Sequence, residues 1–266
     1  MARSTTLLWR PSRSDGSLAA KIAAALCATA MCLLAARTTA FAAGAGAPDG
    51  IVISPVRVTL PADHRTGFFV ITNSTRDSVL FQVEVNAWTQ SAGFDRLSPT
   101  GDVLAVPVVF AIAPGASQTV RLALRREPDA AKELTYRIFA SELTSGAPRA
   151  DTTNVLLRFS LPIFALPLRA DGPSLRWSCV REKNGRLRVT AANVGDEHTL
   201  VATAGLFSDA QHHRAVATWT PAAYLLAGQS RTWTIRAAVA ASVTQLFVET
   251  RSIEGMQTDV APVTSP

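Results

Sequence analysis

Cysteine is scarce in this chain, with three residues in 266. Two of them, Cys27 and Cys32, lie in an N-terminal stretch that we expect to be removed. Cys179 would then be the single cysteine of the mature protein, which excludes an intramolecular disulfide. The mature chain must therefore be held together by its hydrophobic core alone.

The sequence also lacks the motifs of common enzyme chemistry. It contains no Gly-x-Ser-x-Gly element, no phosphate-binding glycine loop and no Cys-x-x-Cys pair. Its carboxylates are scattered singly, so no pair can be assigned acid and base roles. These absences predict a protein that is not an enzyme.

Histidine is equally sparse, with only His64, His198 and the adjacent pair His212-His213. Adjacent residues of a strand point to opposite faces, so the pair makes a poor chelate. Cys179 is far along the sequence from any histidine, which argues against a copper site. We therefore expect exposed loop histidines, no metal site and no cofactor.

The first 42 residues have the pattern of an export signal. A basic lead precedes an apolar run from Ile22 to Ala36, which is too short and too rich in alanine to span a bilayer. The small residues around Ala40 and Ala42 offer a cleavage site. We predict a signal peptide over 1–42 with cleavage near Ala42; an uncleaved anchor is the alternative.

Positive charge is concentrated in that signal. The whole chain has 26 Lys+Arg and 20 Asp+Glu, a net charge of +6. Because residues 1–42 hold five basic residues and one acidic residue, the remainder carries 21 against 19, or +2. The charge is therefore no evidence for a nucleic-acid partner. No second long apolar run exists, which predicts no stable membrane insertion after cleavage.

After a short Ala/Gly/Pro-rich segment at 43–49, alternating apolar and polar runs dominate the chain. Seven strands are predicted at about 51–60, 67–73, 79–90, 103–112, 117–125, 134–143 and 154–165. Seven more are predicted at about 174–182, 186–193, 199–208, 214–220, 229–237, 244–251 and 257–262. Seven short strands with turns between them are typical of an immunoglobulin-like sandwich. The sequence thus predicts an all-β protein with two such domains, at 50–167 and 168–266.

The stretch from 154 to 164 is the most informative of these strands. Its alternate positions are all apolar, so the strand presents one unbroken hydrophobic face. The five residues of this face are Val155, Leu157, Phe159, Leu161 and Ile163. Such a face either fills the core of its own domain or completes the core of another protein, and the residues alone leave both possibilities open.

Several strings in the chain resemble the periplasmic chaperones of chaperone–usher pilus assembly. The most specific runs from Val106 to Leu122 and contains Ala113-Pro114-Gly115; others are Ile53-Ser54-Pro55-Val56-Arg57-Val58, Phe159 to Phe164, Asn193-Val194-Gly195 and Tyr224 to Gly228. The stretch from Trp88 to Thr100 most resembles the archaic branch, whose partners are spore-coat-U-like pilins. Together these strings cover nearly all of the mature chain.

The resemblance implies two immunoglobulin-like domains set in an L, a periplasmic location, pilin subunits as partners and delivery to an outer-membrane usher. A pilin subunit lacks one strand, and the chaperone fills its groove with the last strand of the first domain. In this chain that strand carries the hydrophobic face from Val155 to Ile163.

The resemblance also implies a cationic site for the C-terminal carboxylate of the subunit. The cleft arginine of the family matches Arg57 by its Pro-x-Arg-Val setting. The second cation of the family, a lysine, falls on Pro162 here. Arg158 or Arg137 could replace it.

Two other functions stay open from the sequence. The first is a secreted structural or adhesive module, although two complete strand sets argue against a subunit that lacks a strand. The second is a sandwich that binds carbohydrate, for which exposed aromatic residues would be needed. The tryptophans Trp88, Trp177, Trp219 and Trp233 are spread along the sequence, which we interpret as dispersed rather than clustered.

Overall fold

The computed structural model describes residues 50–144, 155–252 and 255–265. The predicted signal peptide at 1–42, its cleavage near Ala42 and the segment 43–49 lie outside the described residues. Everything described is built from strands and their connections, apart from a single 3-10 turn at Lys183–Gly185.

The first half of the described chain contains ten strands in two sheets. They are β1 Ile51–Ser54, β2 Val58–Leu60, β3 Thr66–Asn73, β4 Val79–Ser91, β5 Phe94–Pro99, β6 Val103–Val106, β7 Val109–Ile112, β8 Ser117–Leu124, β9 Leu134–Leu143 and β10 Arg158–Ala165. One sheet has the order β1-β3-β8-β6, and the other has the order β2-β10-β9-β4-β5 with β7 also paired to β4. Their inner faces enclose a core that includes Phe69, Ile71, Phe81, Val120 and Ile138.

The second half contains nine strands around a separate core. They are β11 Leu175–Glu182, β12 Arg186–Asn193, β13 Thr199–Val201, β14 Thr203–Phe207, β15 Ala215–Trp219, β16 Ala223–Leu225, β17 Ser230–Arg236, β18 Gln245–Arg251 and β19 Met256–Thr264. Seven of them form a sheet in the order β15-β14-β18-β19-β11-β12-β17, and β13 pairs with β16. Two sandwiches with separate cores confirm the predicted all-β, two-sandwich architecture.

Three predicted strands are broken in the structure: that at 199–208 is split at Ala202 into β13 and β14, and in the other two a proline lies in the break. The predicted strand at 51–60 stops before Pro55 and resumes at Val58, while that at 103–112 is interrupted at Pro107. Proline has no backbone N–H to give to a ladder, so the chain leaves one sheet and continues in the other. As a result β1 and β6 lie in the first sheet, and β2 and β7 lie in the second.

Two strands were missed by the sequence analysis. All six residues of β5, from Phe94 to Pro99, are exposed, so the strand leaves no alternating pattern to read. The three-residue β16 is too short to show a pattern and fell in a predicted loop.

The tryptophans of the second half are clustered, which corrects the expectation that they are dispersed. The ring centroids of Trp177, Trp219 and Trp233 lie 6.1–6.5 Å from one another. β15 and β17 are the two ends of the seven-stranded sheet, so the sheet curls until its edges approach each other. Trp177 is buried and the other two pack against the second core, so the cluster closes the sandwich and is not an exposed platform for a sugar.

The single cysteine of the described residues, Cys179, is fully buried in this second core. Burial raises the pKa of its thiol to about 11. The thiol therefore behaves as a small apolar side chain of the core.

Candidate functional site

Strand β10 has a partner along its whole length on one side only. β9 pairs with every residue from Arg158 to Ala165, whereas β2 pairs only with Ile163 to Ala165. From Arg158 to Pro162, the second side of β10 has no partner strand among the described residues. We call this side the open edge. Unpaired N–H and C=O groups along an edge form a template on which another strand can pair.

The residues that lead into β10 extend the open edge and are apolar. Val155 is 77% exposed and Leu157 is 37% exposed, and Leu156 between them is also exposed. The N–H of Glu142 in β9 donates to the carbonyl of Leu157 at 2.8 Å, so the ladder with β9 continues beyond the strand bounds. Three consecutive exposed apolar residues beside an unpaired edge indicate a surface that is covered by a partner.

The predicted hydrophobic face is divided between this edge and the first core. Leu161 is 3% exposed and Ile163 is fully buried, and both belong to the core of the first sandwich. Phe159 is half-buried, and its ring centroid lies 6.3 Å from that of Phe81. The expectation that Leu161 and Ile163 bind a partner is therefore corrected. The core of the sandwich covers Leu161 and Ile163, of which only Ile163 is flanked by β2, and leaves Val155 and Leu157 outside.

Arg57 lies in the connection between β1 and β2, at the end of the open edge. Because Val58 is the register partner of Ile163, Arg57 falls beside Pro162. Its guanidinium forms no ion pair with a carboxylate of the described residues. Arg57 also lines a cavity of about 990 Å³, together with Phe68 and Arg121.

Arg137 lies on the other side of Pro162, which is its direct register partner in the β9–β10 ladder. Arg57 and Arg137 therefore flank Pro162 on the two neighbouring chain segments, with Cα atoms about 10 Å apart at the usual strand spacing. The guanidinium carbon of Arg137 lies 3.9 Å from the ring centroid of Trp88 and 5.6 Å from that of Tyr224. Burial lowers the pKa of Arg137, yet no carboxylate among the described residues forms an ion pair with it.

Arg158 does not lie beside Pro162, as Arg57 and Arg137 do. It precedes Pro162 by four residues, which is about 13 Å along a strand. Its guanidinium carbon lies 4.2 Å from the ring centroid of Phe139. Of the two candidate replacements for the missing lysine, the structure brings Arg137 next to Pro162 and leaves Arg158 at the far end of the open edge.

Arg137 packs against the junction between the two sandwiches. The sequence analysis did not predict the residues of this junction. Trp88 and Phe164 of the first sandwich pack with Tyr224 and Leu226 of the second. Gln90 donates from its side-chain amide to the carbonyl of Tyr224 and accepts from the N–H of Leu226. The second sandwich is thereby fixed against the sheet that carries the open edge.

Hydrogen bonds between Glu133 and His198 add to this junction. The carboxylate of Glu133 accepts from the N–H of His198 at 3.0 Å and lies 2.9 Å from its Nδ1. The imidazole also stacks on Phe164, with ring centroids 3.3 Å apart. His198 is therefore a partly buried junction residue, which corrects the expectation of an exposed loop histidine. The string from Asn193 to His198 contributed to the resemblance described above. Nothing in the sequence indicated that Glu133 is the partner of His198.

Within 50–144, 155–252 and 255–265, no three side chains of the His, Cys, Asp and Glu types gather in a way that could hold a metal ion. In the same part of the chain, no helix is long and apolar enough to cross a membrane.

Fold and edge together define a class: two immunoglobulin-like sandwiches, the first of which carries an unpaired strand edge with apolar residues beside it. Residues 50–170 match the family of pili and flagellar-assembly chaperones, PapD N-terminal domain. The first half of this chain is thus similar to the N-terminal domain of that chaperone family.

Among curated proteins, the chain is 27% identical over 138 residues to the uncharacterized fimbrial chaperone YcbF of Escherichia coli (strain K12). The match covers 48% of this chain and 58% of YcbF, so the chain spans little more than half the length of this relative.

Solved structures show the same fold. In the CsuC–CsuE chaperone–tip adhesion subunit pre-assembly complex of Acinetobacter baumannii, one chain superposes with a TM-score of 0.59 at 18% identity, covering 81% of this chain and 99% of that one. A chain of the Salmonella enterica complex of SafA pilin with the SafB chaperone superposes with a TM-score of 0.56 at 15% identity, covering 79% and 96%. At these identities the likeness concerns the fold.

Proposed function

We propose that this protein is a periplasmic chaperone that binds pilin subunits by donor-strand complementation and delivers them to an outer-membrane usher for pilus assembly. The observation that carries the proposal is the open edge of β10, with Val155 and Leu157 exposed beside it. Support comes from the family match and from the two complexes named above, which pair a chaperone with a pilin or a tip adhesion subunit.

The exposed residues would supply part of the affinity, and the backbone ladder would supply the rest. A fully buried valine or leucine side chain gains about 1.5–3 kcal/mol on leaving water. Val155 and Leu157 could supply two such gains, and Phe159 would add part of a third. A ladder of backbone hydrogen bonds along Arg158 to Pro162 would form at the same time, and these gains must offset the cost of association.

The direction of the incoming strand follows from β2. β2 runs parallel to β10 and begins where the open edge ends. A pilin strand in line with β2, and also parallel to β10, would present its C-terminal end to Arg57. The opposite direction would bring an N-terminal ammonium to the same arginine and would be repelled. We therefore propose that Arg57 and Arg137 receive a terminal carboxylate from the two sides of Pro162.

The proposal also covers the domain boundaries and the cellular location of the protein. We propose a signal peptide at 1–42, a segment at 43–49, and domains at 50–167 and 168–266. The family match over 50–170 and the two separate cores support these domain limits. Members of the fimbrial-chaperone family are periplasmic, which supports export. The resemblance of Trp88 to Thr100 and the Csu likeness favour the archaic branch and spore-coat-U-like pilins.

The test is capture of a subunit by a single-site variant with a matched control. Leu157→Asp places a charge on the open edge, whereas Leu97→Asp places the same charge on β5, the opposite edge of the same sheet. Both leucines are exposed in the free protein. Each tagged variant is co-expressed with a spore-coat-U-like pilin subunit, and the pilin that co-purifies from the periplasm is quantified.

We expect Leu157→Asp to reduce the recovered pilin at least 10-fold, because a carboxylate would have to enter the apolar groove of the subunit. Leu97→Asp should recover as much pilin as the wild type does. The free energy of unfolding of both variants should lie within about 0.5 kcal/mol of the wild-type value. Undiminished capture by Leu157→Asp, or equal losses in the two variants, would refute strand donation from this edge.

A further inference from the structure

The outer face of the second sandwich carries an unusual arrangement of arginines. In the ladder between β12 and β17, Arg186 and Arg236 are direct register partners, and Arg188 lies two residues from Arg186 on the same face. All three side chains are exposed. Like charges directly opposite on neighbouring strands repel each other, so this pair costs stability in the free protein.

Little negative charge compensates this group, which we call the arginine face. The neighbouring strand β11 contributes one carboxylate to the same surface, Glu182, and that carboxylate is bonded to Nε of Arg188 at 2.8 Å. Neither Arg186 nor Arg236 forms an ion pair with a carboxylate of the described residues. An uncompensated pair of guanidinium groups retained on an exposed sheet indicates a ligand of negative charge.

On β12 and β17, the rest of this surface offers no anchor for an ordinary protein interface. Besides the arginines, the outward residues of β12 and β17 are small or carry hydroxyl groups. These residues are Thr190, Ala192, Ser230, Thr232 and Thr234. The hydroxyl oxygens of Thr190 and Thr232 are 2.9 Å apart and bonded to each other. Protein interfaces take most of their affinity from buried aromatic and apolar anchors, and these two strands offer none on this face.

The shape of the surface indicates what kind of anion it fits. Register partners stand about 5 Å apart, and alternate residues of a strand about 6.6 Å apart, so the three arginines start from neighbouring positions on the outer side of the curled sheet. A single small anion needs a concave site, whereas long arginine side chains on an outward-curving face can each reach a separate phosphate group of an extended surface. We propose that the arginine face binds the surface of an anionic phospholipid bilayer, without insertion.

This inference is independent of the open edge, which lies on the other sandwich. It is tested with protein purified from the periplasm, by co-sedimentation with vesicles of equal parts phosphatidylglycerol and phosphatidylcholine, and with vesicles of phosphatidylcholine alone. The variant carries Arg186→Gln, Arg188→Gln and Arg236→Gln. A control of identical net charge carries Arg76→Gln, Arg96→Gln and Arg125→Gln, which are exposed arginines of the first sandwich.

We expect the wild type to sediment with the anionic vesicles at low ionic strength and to be released at high ionic strength. The Arg186/Arg188/Arg236 variant should bind roughly 100-fold more weakly, since each arginine at an anionic surface contributes about a factor of five. The control variant should keep most of the wild-type binding.

Three results would overturn the proposal. The first is an equal loss in the two variants, which would mean that net charge alone is responsible. The second is no sedimentation of the wild type with anionic vesicles. The third is binding to soluble polyglutamate as tight as binding to vesicles, which would assign the face to an acidic polymer and not to a lipid surface.

Discussion

The segment from Val155 to Ala165 has the same apolar alternation throughout, but its two halves lie in different environments. Leu161 and Ile163, in the second half, are buried in the first sandwich, whereas Val155 and Leu157, which precede β10, are exposed. β2 flanks only Ile163 to Ala165, so Leu161 is buried by the core of the sandwich although one side of its strand has no partner. Alternation therefore shows which side of a segment is apolar, and the extent of the core decides how much of that side the domain itself covers.

The largest effect that separates the two halves should come from Leu161→Ala. Removing a buried leucine side chain costs about 2–5 kcal/mol, because the transfer energy is lost and a cavity remains. Leu157→Ala should change the free energy of unfolding by less than about 0.5 kcal/mol. Urea unfolding of the two purified variants measures both values. Similar losses in the two would show that residue 157 is also part of the core of the free protein.

The same comparison shows what the sequence can predict. Turn spacing and alternation were enough for two sandwiches, and the setting of Arg57 was enough to single out that arginine. The division of the face at Phe159 was not predictable, because it depends on how far the core built from distant segments extends along β10. Register between distant segments leaves no local pattern in the chain. For the same reason, the sequence could not predict that Arg137 lies beside Pro162 or that Glu133 lies beside His198.

A smaller effect is expected at the end of the open edge. Arg57→Ala and Arg137→Ala should each lower pilin recovery about 10-fold, since a hydrogen bond to a charged group contributes about 1.5–3 kcal/mol. Arg158→Ala, which removes an arginine stacked on Phe139 at the other end, should stay within about 2-fold of the wild type. Recovery is again measured by co-purification from the periplasm.

A displaced carboxylate sharpens this prediction. If the pilin is extended by two glycines at its C-terminus, its terminal carboxylate can no longer lie between Arg57 and Arg137. The wild type and the Arg137→Ala variant should then recover the extended pilin equally well. A loss that persists with the extended pilin would mean that Arg137 acts by supporting Trp88 and Tyr224 at the junction, and not by binding the carboxylate.

The smallest effects, and the most diagnostic, belong to Phe159, where the two halves meet. Its ring is half-buried and lies against Phe81, so Phe159→Ala should cost about 1–2 kcal/mol of stability, less than a fully buried aromatic side chain. The exposed part of the ring would also contact a bound pilin strand, so recovery should fall a few-fold. Phe94→Ala, which removes an exposed ring from β5, should change neither quantity. A loss of stability alone would assign Phe159 to the core and make Leu157 the last donated side chain, whereas a loss of recovery alone would add Phe159 of β10 to the donated set.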